Sequence, residues 1–220
     1  MTVPAPRLYV DSADVDRVSS LLATGILHGV TTNPTILERG GRTAAEIPDL
    51  YARWSEEGAR EIFFQTWGGD TDSFLRNAER IRALGDRVVV KVPATRDGFA
   101  AASALVRDGA TVLVTAVYSV AQALACATLG AQYIAPYLGR MRDAGIDGDA
   151  VIARMQEMCA GSDSQVLAAS LRSPDDITGL RLAGVSYFTA APDVLDRMLS
   201  HDVSDSSAAE FDAAMVRLGA

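Results

Sequence analysis

The chain of 220 residues can bury one full core and falls within the range of a single α/β barrel. Hydrophobic residues make up 49%, which excludes a disordered chain, and a net charge of −8 argues against a general nucleic-acid or membrane-surface partner. No apolar run reaches transmembrane length and the N-terminus carries no secretory signal, so a cytoplasmic protein is expected.

The first apolar, β-branched run is Leu8–Asp11, followed by a segment of helical period over Asp14–Leu22. A strand over Gly29–Asn33 comes next, then a helix over Asp49–Glu57. The strand Glu61–Trp67 leads into the helix Thr71–Leu84, and Arg87–Pro93 into Gly98–Asp108. The second half repeats the alternation: Thr111–Tyr118 with Val120–Leu129, Ala131–Tyr137 with Asp149–Ala160, Gln165–Ser170 with Ser173–Ala183, and Val185–Ala190 with Ala191–Leu199. Ser12 or Asp14, Thr71, Ser119 and Ser173-Pro174 supply helix starts, while Gly85, Gly109, Gly130 and Gly184 stand just past helix ends. Eight strands alternating with eight helices predict a single (β/α)8 TIM barrel spanning 1–220, with no linker to divide it and a last helix over about 207–218. An open doubly wound sheet is the alternative, disfavoured because no glycine-rich dinucleotide turn follows the first strand.

One segment carries more chemistry than the rest. Lys91, the only lysine in the sequence, sits in Arg87-Val-Val-Val-Lys-Val-Pro93, a run that reads as a parallel strand buried on both faces. Burying an ammonium is costly, so such a group tends to shed its proton. A neutral amine is what attacks a ketone or aldehyde to form a Schiff base. The competing reading is a lysine that blunts an edge strand. The valines before it and the proline after it weigh against an exposed edge. Other chemistries lack parts: with only His28 and His201, and no HExxH or CxxC spacing, neither a histidine-based metal site nor a Ser–His–Asp hydrolase can be assembled. His28 reads as a surface or strand-start residue. Cys126 and Cys159 lie in helical stretches and read as reduced, small-hydrophobe packing.

The C-terminal strand ends read Asp11, Asn33, Gln65, Lys91, Thr115, Tyr137, Ser170 and Thr189. In a barrel these ends converge on one mouth, where the active site is built. Any one of them, Asn33 or Thr189 for instance, could be a strand cap; polar groups at every strand end, beside a lysine, point to a site.

At the level of motifs the chain resembles the short transaldolases and fructose-6-phosphate aldolases. The matching segments are Leu8-Tyr-Val-Asp11, Gly29-Val-Thr-Thr-Asn-Pro34, Val90-Lys-Val-Pro93, Thr115-Ala-Val-Tyr118, Ala135-Pro-Tyr-Leu-Gly-Arg140 and Leu167-Ala-Ala-Ser-Leu-Arg172, in family order and at family spacing. The resemblance implies Lys91 as the Schiff-base lysine, Asp11 as the acid–base group, and Asn33, with Thr32 beside it, as substrate-binding. It implies that Gln65, Thr115 and Tyr137 hold a catalytic water, and that Arg140, Ser170 and Arg172 bind the phosphate. Two arginines and a hydroxyl are suitable charge-assisted donors for that anion or for a sulfonate; the alternative for the arginines is a solvated surface pair. The implied reaction breaks the C3–C4 bond of a ketose phosphate through a dihydroxyacetone enamine, with no metal or organic cofactor.

Gln65 and Tyr137 look like the aldolase branch of the family, whereas Gly139 looks like the transaldolase branch and Thr66-Trp67 like neither. Trp67 either narrows the pocket or packs on the rim. A deoxyribose-phosphate-type aldolase would need a second lysine, which the chain lacks. A non-catalytic sugar-phosphate-binding barrel would have lost one of the matched residues, and none is lost. The resemblance also implies a homo-oligomer, pentameric or decameric. Phe211, Met215 and Leu218 form an apolar stripe on the last helix that needs a partner surface.

Overall fold

The computed structural model describes residues 4–219. Among these, strands β1 (Arg7–Asp11), β2 (Leu27–Thr31), β3 (Glu61–Gln65), β4 (Val88–Pro93), β5 (Val112–Val117), β6 (Tyr133–Pro136), β7 (Gln165–Leu171) and β8 (Tyr187–Ala190) close in chain order into a barrel of parallel strands. Around them run α1 (Val15–Leu22), α2 (Pro34–Arg39), α3 (Ile47–Glu56), α4 (Thr71–Arg82), α5 (Arg96–Arg107) and α6 (Val120–Leu129). The second half adds α7 (Leu138–Asp143), α8 (Gly148–Cys159), α9 (Pro174–Leu182), α10 (Pro192–Leu199) and α11 (Asp202–Arg217). The barrel is the (β/α)8 architecture that the alternating pattern predicts.

Alternation along each strand sorts the core into two shells. Outward-facing Val10, Val30, Ile62, Phe64, Val90, Val114 and Phe188 pack under the helices. Inward-facing Tyr9, Phe63, Val89, Leu113, Tyr133, Leu167 and Tyr187 fill the barrel itself. Phe63 is fully enclosed and stacks edge-on against Tyr9 at 5.3 Å. Its truncation to alanine would cost about 3–5 kcal/mol by emptying the barrel centre. Cys126 and Cys159 are buried free thiols, pushed by burial up to about 12 and about 11, and act as packing.

Several boundaries differ from the sequence expectation, each for a local reason. The strand predicted through Trp67 stops at Gln65, because the Thr66 hydroxyl turns back to donate to the Phe74 carbonyl at 2.6 Å and Gly68 adopts φ 144°. The second strand ends at Thr31 rather than Asn33, because Asn33 caps α2 and Pro34 opens it. Helix α4 is capped by Asp70, not Thr71. Of the two candidates at α1, Asp14 is the cap, and Ser12 Oγ accepts from the Asp14 N–H. The last helix begins at Asp202 rather than near 207, its first turn capped by His201. No described helix is long and apolar enough to cross a membrane.

Candidate active site at the barrel mouth

Each strand carries one inward residue two positions beyond the filled inner layer, so a second ring forms at the C-terminal end. Tyr9 leads to Asp11, Gly29 to Thr31, Phe63 to Gln65, Val89 to Lys91, Leu113 to Thr115, Ala135 to Tyr137, Leu167 to Ala169 and Tyr187 to Thr189. The ring opens into a cavity of about 390 Å³, the size of small-metabolite sites. Its floor and walls include Leu113, Ala135 and Leu167, so the amine of Lys91 emerges from an apolar base. Lys91 itself is only 4% exposed, and it pairs in register with Gln65 on β3.

Asp11, on β1, lines the same cavity as Lys91, on β4. Its Oδ1 accepts a 2.6 Å hydrogen bond from the Thr31 hydroxyl, which is 2.5 Å from the Thr189 hydroxyl. Burial pushes the Asp11 carboxyl above the usual carboxylate range; the Lys91 charge, the Thr31 hydrogen bond and the Arg39 charge each draw it partly back. A carboxyl so balanced can take a proton and return it.

The other expected residues divide into those that face the cavity and those that do not. Tyr137 lines it, with its hydroxyl 2.7 Å from Thr115 Oγ1, and its ring is held between Tyr118 at 6.1 Å and the Arg140 guanidinium at 5.0 Å. Asn33 lines it too; its Oδ1 is spent capping the Ile36 N–H at 2.9 Å, which leaves the amide NH₂ as donor. Thr115 and Gln65 are in the ring but outside the cavity wall. Thr32 is fully buried with its hydroxyl donating to the Phe63 carbonyl at 2.8 Å, a strand-tying role that keeps it off the wall.

Arg140, Ser170 and Arg172 come together on the β6–β7 side. Ser170 sits at φ 57°, where β7 bulges between Ala168 and Leu171, and this turn brings both Ala169 and Ser170 to the cavity. A non-glycine residue held in this region stores strain that the surroundings must enforce. Gly139 permits the approach: a Cβ there would stand 2.7 Å from Arg172 Nε and 2.7 Å from the Ser170 carbonyl. Arg172 is engaged in a double ion pair with Asp143, and its backbone N–H donates to Asp176 at 2.7 Å. Trp67 is absent from this wall; it is partly exposed and borders a separate surface pocket with Ala44, Pro48 and Leu84.

Sequence reasoning missed Thr31, Asp143 and Arg39. Thr31 was signalled by counting two residues on from Gly29. Arg39 was hidden in α2, a six-residue helix too short for a periodic pattern, although Asn33-Pro34 is a cap-and-start signature. Among the described residues, no group of three or more His, Cys, Asp and Glu side chains is placed to hold a metal ion.

The profile of the transaldolase/fructose-6-phosphate aldolase family matches residues 8–219. A probable transaldolase of Hyphomonas neptunium is 35% identical, covering 93% of this chain and 94% of that one. Another from Chelativorans sp. is 33% identical, covering 97% and 98%, and one from Methanococcus maripaludis 30%, covering 93% and 95%. Among solved structures, a thiamine phosphate pyrophosphorylase from Pyrococcus furiosus superposes with a TM-score of 0.60 at 17% identity, covering 84% of this chain and 85% of that one, a likeness of fold alone.

Proposed function

Because this chain belongs to the transaldolase/fructose-6-phosphate aldolase family, we propose that it cleaves and forms the C3–C4 bond of fructose 6-phosphate-type ketose phosphates through an enamine on Lys91. The observation that carries the reading is the single lysine of the chain, buried on an inward strand position and opening into a cavity that also presents Asp11 and arginines.

The amine of Lys91 attacks the C2 carbonyl; the proton that its ammonium gives up returns to the carbinolamine hydroxyl, which leaves as water, and a protonated imine remains. Asp11 takes the C4 hydroxyl proton. The C3–C4 bonding pair flows into the imine, an aldehyde phosphate departs, and a dihydroxyacetone enamine remains on Lys91. Two fates are then open. Attack of the enamine on an aldose phosphate is transfer. Protonation at C3 followed by hydrolysis of the imine is aldolase release. The Thr115–Tyr137 hydroxyl pair, with Gln65 in the same ring, supports release, because neutral hydrogen-bonding groups can hold a hydrolytic water beside the imine. The names of the three relatives above, each a probable transaldolase, support transfer as the second reading.

Ser170, Arg140 and Arg172 are assigned to the phosphoryl end, and Asn33 to a substrate hydroxyl. The same anion-binding pocket accommodates a sulfonate on grounds of charge. Active copies are proposed to associate through α11 and its C-cap, where Phe211, Met215 and Leu218 are 52–80% exposed in the lone chain. The deciding experiment supplies fructose 6-phosphate with and without erythrose 4-phosphate. Release of glyceraldehyde 3-phosphate without the acceptor, diminished in Tyr137→Phe, is expected. Strict dependence on the acceptor assigns the protein to transfer.

A further inference from the structure

The cavity mouth has cations on two facing walls. In a barrel closed in the order β1 to β8, the connections after β2 and β6 stand diametrically opposite one another. Arg39 reaches the cavity from α2 after β2, and Arg140 reaches it from α7 after β6. The third arginine on the wall, Arg172, is paired with Asp143 through both terminal guanidinium nitrogens. Arg42, close to Arg39 in sequence, is likewise committed, to Glu46 at 3.1 Å. Among the described residues, Arg39 and Arg140 have no ion-pair partner. Arg39 acts on the site only through its charge, which helps to stabilise the Asp11 carboxylate. In a chain of net charge −8, two guanidinium groups without ion-pair partners, entering one cavity from opposite connections, are the local attraction that an anionic substrate requires.

We propose that Arg39 is a specificity-determining residue that meets the substrate's phosphoryl group from the β2 side, opposite Arg140. The proposal rests on the reading of the cavity as a sugar-phosphate site. It adds a contact from an element that the phosphate-binding assignment above does not use. Guanidinium is suited to this because it presents several donors in a plane and stays charged throughout the working pH range.

The test uses two acceptors that differ only in the phosphoryl group, glyceraldehyde 3-phosphate and glyceraldehyde, each condensed with dihydroxyacetone. In Arg39→Met the ratio of kcat/KM for the phosphorylated over the unphosphorylated acceptor should fall about tenfold, carried by KM, from the loss of a charge-assisted bond. Arg39→Lys should recover part of it. Removing the Arg39 charge also shifts the titration of Asp11, but this affects both acceptors alike and cancels in the ratio. An unchanged ratio overturns the proposal. If the wild-type protein condenses neither acceptor, the reading as an aldolase that uses free dihydroxyacetone is at fault, and titration calorimetry with inorganic phosphate decides the matter of Arg39. A Kd raised about tenfold in Arg39→Met supports the clamp, and an unaltered Kd overturns it.

Discussion

The two ends of this barrel are both polar, and they are polar in opposite ways. At the N-terminal floor, Glu61 accepts hydrogen bonds from the Tyr9 hydroxyl at 2.6 Å and the Tyr133 hydroxyl at 2.7 Å. Arg7 stands 3.7 Å and His28 Nε2 3.5 Å from the same carboxylate, and the Arg7 guanidinium lies 5.1 Å over the Tyr187 ring. Every charge there is answered by another. Burial first, and the neighbouring Glu61 carboxylate second, push the Tyr9 phenol far up its scale; burial lowers His28 despite the carboxylate beside it. At the mouth, by contrast, Lys91 forms no close ion pair among the described residues, Arg39 and Arg140 are uncommitted, and Asn33 keeps its amide NH₂ in reserve. A saturated network is a structural plug, because its donors and acceptors are already spent. An unsaturated one is a site, because the missing partner is the ligand.

This contrast predicts that substitutions at the two ends separate activity from stability. The largest effect belongs to Lys91→Met. It should reduce turnover to background while leaving the melting temperature at or above that of the wild type, since it removes a buried ammonium and keeps the volume. Loss of fold in this variant would show that the mouth is structural as well.

Asp11→Asn is next. Loss of the proton acceptor should lower kcat by about 10²-fold or more. Its effect on stability has the opposite sign. The folded carboxyl titrates above its unfolded value, so the stability it contributes is full at low pH and is lost as pH rises through the raised value. The asparagine variant should therefore match the wild type in acid and exceed it at neutral pH in denaturant titrations run at both. In the wild type, the acidic limb of the pH–rate profile should lie above the ordinary carboxylate range, because Asp11 must be ionised to act as a base.

The smallest effect is at the floor. Glu61→Ala strands two buried phenols and unbalances Arg7 and His28, which should cost about 2 kcal/mol, moderated by the partial exposure of the carboxylate. Urea unfolding measures it. The kcat of the folded fraction should stay within a factor of about two, given that this end faces away from the cavity. A large fall in kcat with stability intact would reverse the assignment of the two ends.

Much of this was legible in the sequence, for reasons that particular residues make clear. Parallel strands buried on both faces are continuous β-branched runs, so Arg87–Pro93 and Thr111–Tyr118 announce themselves. Lys91 stood out because it interrupts such a run. Asp11, Lys91 and Tyr137 were found because a polar residue at a strand's C-terminal end is local information. Arg39 was not, since α2 is too short to show a period and its reach into the cavity depends on the path of the β2 connection. His28, read as a surface or strand-start residue, is the second residue of β2; its partner Glu61 was not legible, because the floor network unites residues from distant strands only when the barrel closes. The strand read through Trp67 failed at Thr66, whose hydroxyl prefers a carbonyl in α4 to the strand ladder.

The central claim is that Lys91 carries the substrate. Incubation with dihydroxyacetone or fructose 6-phosphate, borohydride reduction and intact-mass measurement tests it most directly, because the chain has one lysine and so one side-chain amine to trap. The account predicts a single added three-carbon adduct, mapped to the peptide containing Lys91 and missing from Lys91→Met. Active wild-type protein that emerges from reduction unmodified, or modified elsewhere with Lys91 untouched, would contradict it.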